Sequence, residues 1–170
     1  MMLQRATKRR IPTLQQSGTD CSASSERSVA RRYWSRMMTE KSFHEAGHAV
    51  AASVLGQPIK QATMDGVTTL VKVGCGQARR NEAIIAMAGP AAEARAKSYS
   101  AEQSEELWNT VWAVDKEYCK RQLGGAGTEH AMRQARWIVE DNWDAVTKVA
   151  EALEKHGTLS GEDVAVLLST

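Results

Sequence analysis

The pentad His44-Glu45-Ala46-Gly47-His48 constrains this chain more than any other feature. On a helix, positions i and i+4 lie one turn apart on the same face, with Cβ atoms about 5–6 Å apart. Two imidazoles placed that way can converge on one tetrahedral Zn²⁺ through bonds of about 2.0–2.1 Å. Glu45 is rotated about 100° from His44, so it can flank such an ion without ligating it. From there it can take a proton from zinc-bound water, the arrangement of a metal-dependent hydrolase.

The flanking residues supply the helix. Thr39 is a natural N-cap, and Glu40 brings a negative charge to the first turn. Phe43, Ala46, Val50 and Val54, with Ala49, Ala51, Ala52 and Leu55 beside them, make an apolar, largely helix-favouring stretch. Gly56 stands where a left-handed C-terminal cap belongs, and Pro58 follows two residues later. The spacing predicts one helix from residue 40 to residue 55. Gly47 costs that helix up to about 1 kcal/mol relative to alanine. A glycine there makes sense if the backbone must lie close to a metal or to another helix.

A chain of 170 residues, 42% hydrophobic and 25% charged, suits one globular domain with or without a tail. No apolar run approaches the roughly 20 residues that span a bilayer. The N-terminus also lacks the apolar core of a secretory signal. Charge is unevenly placed: residues 1–36 hold eight Lys and Arg against two Asp and Glu, whereas residues 37–170 hold fourteen against eighteen. Residues 1–36 are rich in Arg, Ser, Thr and Gln without periodicity, so the expectation is a disordered basic tail ahead of a domain at 37–170. The tail's composition also fits an organelle transit peptide. A nucleic-acid-binding arm is another reading, and an inert extension before Met37 and Met38 a third. The mildly acidic domain argues against nucleic-acid binding. Cys21, Cys75 and Cys119 are odd in number and lack CxxC spacing, which suggests free thiols in a reducing compartment.

Beyond the first helix, the runs Ile59 to Met64 and Val67 to Val73 flank Asp65-Gly66, the pattern of a hairpin with a type I′ turn. Arg79 to Lys97 reads as helical, with a kink or break at Gly89-Pro90. Residues 102–123 form an amphipathic pattern through Leu107, Trp108, Val111, Trp112, Val114 and Tyr118, in which Trp108 and Trp112 read as core packing. Gly124, Gly125 and Gly127 suggest a loop, and Thr128 to Lys155 a long helix with Trp137, Val139, Trp143, Val146, Val149 and Leu153 apolar. His156-Gly157 closes it. Ser160 and Asp163 resemble a capping box for a last helix, Gly161 to Leu168. The fold class expected is mostly α with a small β-hairpin or sheet, the motif helix being followed by a helical bundle.

A catalytic zinc takes three protein ligands and an open position. His130 and His156 are the only other histidines, one near a helix start and one at a helix end, both in surface-like settings. Asp115 lies within the apolar stretch Val111-Trp112-Ala113-Val114, where an unpaired charge is costly and a metal would resolve the cost. Equally, it can face solvent beside Lys116. Glu93, Glu105 and Glu106 are fallbacks.

At this point the chain resembles a known family. His44-Glu45-Ala46-Gly47-His48-Ala49-Val50 and Met87-Ala88-Gly89-Pro90-Ala91-Ala92-Glu93 look like two signatures of the zincin-like peptidase domain of the membrane AAA proteases, the FtsH family. The stretch from Ala150 to Leu153, through Gly157-Thr158-Leu159-Ser160-Gly161, to Val164 and Leu167 is similar to that domain's final helices. The resemblance covers residues 39–168 and keeps the element order. It implies a third zinc ligand, an aspartate on a later helix, which makes Asp115 the favourite. It also implies that substrate adds as a strand beside the zinc helix. Val67, Thr68, Thr69, Leu70 and Val71 are the candidate edge. The chain departs from the family in having no GxxxxGK[ST] phosphate loop and no apolar span. Pro90 replaces the arginine usual after the Ala-Gly pair, the spacing to Asp115 implies an insertion, and Trp108 and Trp112 stand where small residues are usual.

The expectation is a zinc-dependent, ATP-independent metalloendopeptidase acting on peptides or on flexible or unfolded polypeptides. In this reading His44, His48 and Asp115 hold Zn²⁺ and Glu45 is the general base. A separate ATPase partner or a homo-oligomer is the expected company, with no membrane span and no nucleic acid. The expected location is the cytoplasm, or an organelle if residues 1–36 are a transit peptide. The alternative is a metal-stabilised regulatory protein with weak turnover, a reading that intact Glu45 argues against.

Overall fold

The computed structural model describes residues 38–69 and 77–169. The expected tail at residues 1–36, and with it Cys21, lies outside the described residues, as do Leu70, Val71 and Cys75. Among the described residues, six helices accompany a three-stranded antiparallel sheet, the mostly α fold with a small sheet that the sequence implies.

Helix α1 (Glu40–Val54) begins and ends as its flanking residues dictate. Thr39 Oγ1 accepts the Ser42 amide at 3.3 Å, and Gly56 takes a left-handed φ of +68° just past the last turn. The strands that follow, β1 (Ile59–Thr63) and β2 (Gly66–Thr69), form the expected hairpin, but the turn sits one residue early. Thr63 pairs with Gly66, so Met64 and Asp65 make the loop. Neither has a positive φ, so the turn is not type I′. Thr63 Oγ1 closes it instead, accepting from the Asp65 amide and donating to the Gly66 carbonyl, both at 3.1 Å.

Helix α2 (Gln77–Lys97) runs through Gly89-Pro90 as one helix, so the expected division there is absent. The single helix expected over 102–123 is in fact two, α3 (Ala101–Trp108) and the start of α4 (Ala113–Asp141). The side chains of Asn109 and Thr110 turn back onto the Glu105 and Glu106 carbonyls at 3.0 and 2.9 Å, which ends α3. Helix α4 is two helical segments that meet at a kink: Gly124 leaves helical geometry (φ 71°, ψ 178°), so the expected glycine loop is reduced to a break at that one residue. The helix expected from Thr128 to Lys155 is interrupted at Asn142, whose side chain donates to the Ile138 carbonyl at 2.8 Å. Helix α5 (Trp143–His156) then ends on left-handed Gly157. Strand β3 (Thr158–Ser160), too short to leave a pattern in the sequence, pairs with β1 and gives the sheet order β2-β1-β3. Helix α6 (Gly161–Ser169) opens on the expected capping box, with Ser160 Oγ accepting the Asp163 amide and Asp163 Oδ2 accepting the Ser160 amide.

Helix α1 is the hub, packed against α2, α5 and β1. Phe43, Ala46, Ala49, Val50, Ala51 and Ala52 are fully buried, and so many small side chains let neighbouring helices come close. Phe43 stacks on Trp143 at 5.6 Å, and the Arg95 guanidinium lies 4.4 Å from the Trp143 ring centre. Four residues expected on apolar faces, Val54, Val111, Val114 and Trp137, are exposed instead.

The tightest approach is at Gly47. A Cβ there would lie 2.4 Å from the Ala88 carbonyl oxygen and 2.7 Å from Ala92 Cβ, so the glycine serves a helix crossing. Gly47→Ala is expected to destabilise the fold by about 1–3 kcal/mol through overpacking. Gly125→Ala, where a Cβ meets nothing within 4 Å, should stabilise α4 by up to about 1 kcal/mol. Urea unfolding of both variants checks the opposite signs.

Candidate metal centre

Because α1 is regular from its first turn, His44 and His48 stand on one face, their rings edge to face with centroids 4.7 Å apart. That face meets α2 at Gly89. A Cβ on residue 89 would fall 2.4 Å from His48 Nε2 and 2.8 Å from His44 Nε2, so only glycine leaves room for both nitrogens. Helix α4 brings Asp115, in its first turn, to the same point. Its Oδ2 lies 3.3 Å from His44 Nε2 and its Oδ1 4.0 Å from His48 Nε2. His44, His48 and Asp115 each offer one ligand atom, all within 4.8 Å of one another. Donors on a tetrahedral zinc at 2.0–2.1 Å are separated by about 3.3 Å. The His44–Asp115 separation equals that value and the His48–Asp115 separation is wider, while the two-imidazole, one-carboxylate donor set is one that zinc accepts.

The far sides of both imidazoles are fixed by α2. His48 Nδ1 lies 2.7 Å from the Ile85 carbonyl, an acceptor only, so this nitrogen carries the proton and donates it. His44 Nδ1 donates to Glu93 Oε2 at 2.9 Å. In each ring Nε2 is left turned toward Asp115, the orientation that metal-binding histidines take from such partners. Glu93, a fallback ligand on sequence grounds, is thus a buried orienting group behind His44. Trp112 also donates to it, from Nε1 at 2.7 Å. Sequence reasoning missed both roles, because each depends on which helix faces which.

Glu45 is 7% exposed, and its Oε2 is a buried oxygen with no hydrogen-bond partner. Such an orphaned acceptor costs stability, and a functional role is one reason for a fold to keep it. Burial pushes its carboxyl up to about 7, against the pull of the His44 charge. Burial also lowers His48, and the nearby His44 charge adds to this, which keeps the His48 imidazole neutral. For His44, burial acts downward, but hydrogen bonds to Asp115 and Glu93 outweigh it and hold the imidazole at about 9.

The remaining candidates stay apart from this centre. His130, His156, Glu105 and Glu106 are exposed on the outer surfaces of their helices and outside the ligand cluster. Cys119 is buried and also outside it. Val67, Thr68 and Thr69 lie on β2, at one edge of the sheet. A scan against protein-family models gives no match, and a search of curated proteins gives none either.

The Glu45 environment has a measurable consequence for the metal-free protein. Folded and unfolded chains both carry a neutral carboxyl well below its ordinary value of 4.5. As pH rises toward about 7 the unfolded chain ionises first, so the stability held by the protonated form is lost across that window. Glu45→Gln should therefore raise stability at pH 8 by about 1–3 kcal/mol and change it little at pH 4. Thermal melts of the metal-free protein at the two pH values check this. A Gln variant no more stable at pH 8 than wild type would contradict it.

Proposed function

We propose that the chain is a zinc-dependent metalloendopeptidase that cleaves flexible or unfolded polypeptides without ATP. The observation that carries this reading is the meeting of His44, His48 and Asp115 beside a buried, unpartnered Glu45 oxygen. A structural metal site has no use for such a carboxylate, whereas hydrolysis of a peptide bond requires a base at that position. The donor set also matches the two-histidine, one-carboxylate pattern of catalytic zinc sites.

His44, His48 and Asp115 would hold the ion. When bound, zinc would supply Lewis-acid polarisation of a carbonyl and lower the pKa of water. Glu45 accepts the proton of the attacking water and returns it to the leaving amine. A carboxyl held near 7 by burial suits both tasks. Ile85 and Glu93 keep each imidazole in the tautomer that turns Nε2 inward. Edge strand β2 offers main-chain pairing to an extended substrate, a mode that favours chains without stable tertiary structure.

The test pairs elemental analysis with hydrolysis of unfolded casein for wild type, Glu45→Gln and Asp115→Asn. Wild type should carry about one zinc per chain and cleave casein. Glu45→Gln should keep its zinc and lose at least about a hundredfold in rate. Asp115→Asn should lose both zinc and activity. Zinc in wild type without hydrolysis would contradict the peptidase assignment and favour a metal-stabilised regulatory protein. A folded wild type without zinc would contradict both.

A further inference from the structure

Trp112 is among the largest fully buried side chains in the protein, and its single polar atom is aimed at the metal centre. Its indole Nε1 donates to Glu93 Oε2 at 2.7 Å, and that same oxygen accepts His44 Nδ1 at 2.9 Å. Trp112 is also the residue that opens α4, three positions before Asp115, and its carbonyl accepts the Lys116 amide at 3.0 Å. This helix start has no side-chain cap of its own. The indole is held from two sides, by Trp108 with ring centres 5.0 Å apart and by Tyr99 at 6.3 Å. Its direction is therefore set by packing. One side chain thus touches the partner of the first histidine while beginning the helix that delivers the aspartate.

We propose that Trp112 is a positioning residue for the metal centre. Its indole N–H fixes Glu93 behind His44, and its ring docks the start of α4 so that Asp115 meets the two histidines. The inference rests on the metal-site reading above. A neutral N–H donating to a buried carboxylate makes a charge-assisted bond, stronger than one between neutral groups. Removing it leaves Oε2 with one donor and frees the carboxylate to rotate away from His44 Nδ1. Phenylalanine fills much of the same space but has no N–H, so the positioning role separates from simple core filling.

The experiment titrates Zn²⁺ into the metal-free full chain against a chromophoric chelator. The set is wild type, Trp112→Phe, Glu93→Gln, the double variant and Trp137→Phe. Trp112→Phe should weaken zinc binding by about tenfold or more, while Trp137→Phe, at an exposed position, stays close to wild type. In the Glu93→Gln background the Trp112 substitution should add little, because its effect passes through that carboxylate. Imidazole ¹⁵N spectra of the zinc-loaded protein should show the His44 Nδ1 resonance shifted in Trp112→Phe, as its hydrogen bond to Glu93 loosens. Wild-type affinity in Trp112→Phe, or losses that multiply in the double variant, would overturn the proposal. If Trp112→Phe does not fold, β-(3-benzothienyl)alanine at position 112 keeps the ring size and removes only the N–H, and wild-type affinity there would overturn it equally. A wild type that takes up no zinc overturns the metal-site reading itself, an outcome distinct from a wild type that binds zinc alongside an indifferent Trp112→Phe.

Discussion

The close crossing of α1 and α2 is the contact on which the rest of the site depends. Each helix gives up a side chain to it. Gly47 of α1 lies against the Ala88 carbonyl, and Gly89 of α2 lies under the two imidazole Nε2 atoms. Flanking alanines on both helices keep the seam thin. At this separation the backbone of α2 becomes part of the centre: the Ile85 carbonyl sets the tautomer of His48, and Glu93, one turn past Gly89, sets that of His44. Close-packed interiors transmit small displacements. A methyl group at residue 47 or 89 would therefore act on the histidines as well as on stability.

Electrostatics then favour a cation at the crossing. Three acidic side chains, Glu45, Glu93 and Asp115, gather around two imidazoles, all five largely out of water. Hydrogen bonds to Asp115 and Glu93 relieve the crowding at His44 and favour its protonated ring, while burial and the His44 charge keep His48 neutral. Glu45 has no such relief, and its Oε2 is left without a partner. Burying polar groups in this way costs stability, and among the described residues Glu45 Oε2 is the buried side-chain oxygen left without a hydrogen bond.

How much of this was legible in the sequence follows from how local each feature is. The His-Glu-His geometry needs only a regular helix, and Thr39 and Gly56 mark its ends by side-chain and backbone chemistry. Asp115 was half legible. Its charge within an apolar stretch suggested an inward role, but Val111 and Val114 turn out to face solvent, and the aspartate is the inward residue. The breaks at Asn109–Trp112 and Asn142 were hidden because the apolar pattern continues through them, and side-chain bonds to nearby carbonyls override it. At Gly89-Pro90 the sequence leaves a kink or a break open, and α2 carries Pro90 as a buried residue without dividing. Glu93 and Trp112 could not be assigned from spacing at all. Their partners lie 49 and 19 residues away, on elements that only tertiary packing brings together.

The central claim is that two histidines and one aspartate form a single cation site, and X-ray absorption at the zinc edge tests it most directly. The full chain loaded with one equivalent of zinc should show only nitrogen and oxygen neighbours at about 2.0–2.1 Å, with outer-shell scattering that counts two imidazoles. A sulfur shell at about 2.3 Å, or scattering from any other number of imidazoles, would contradict it.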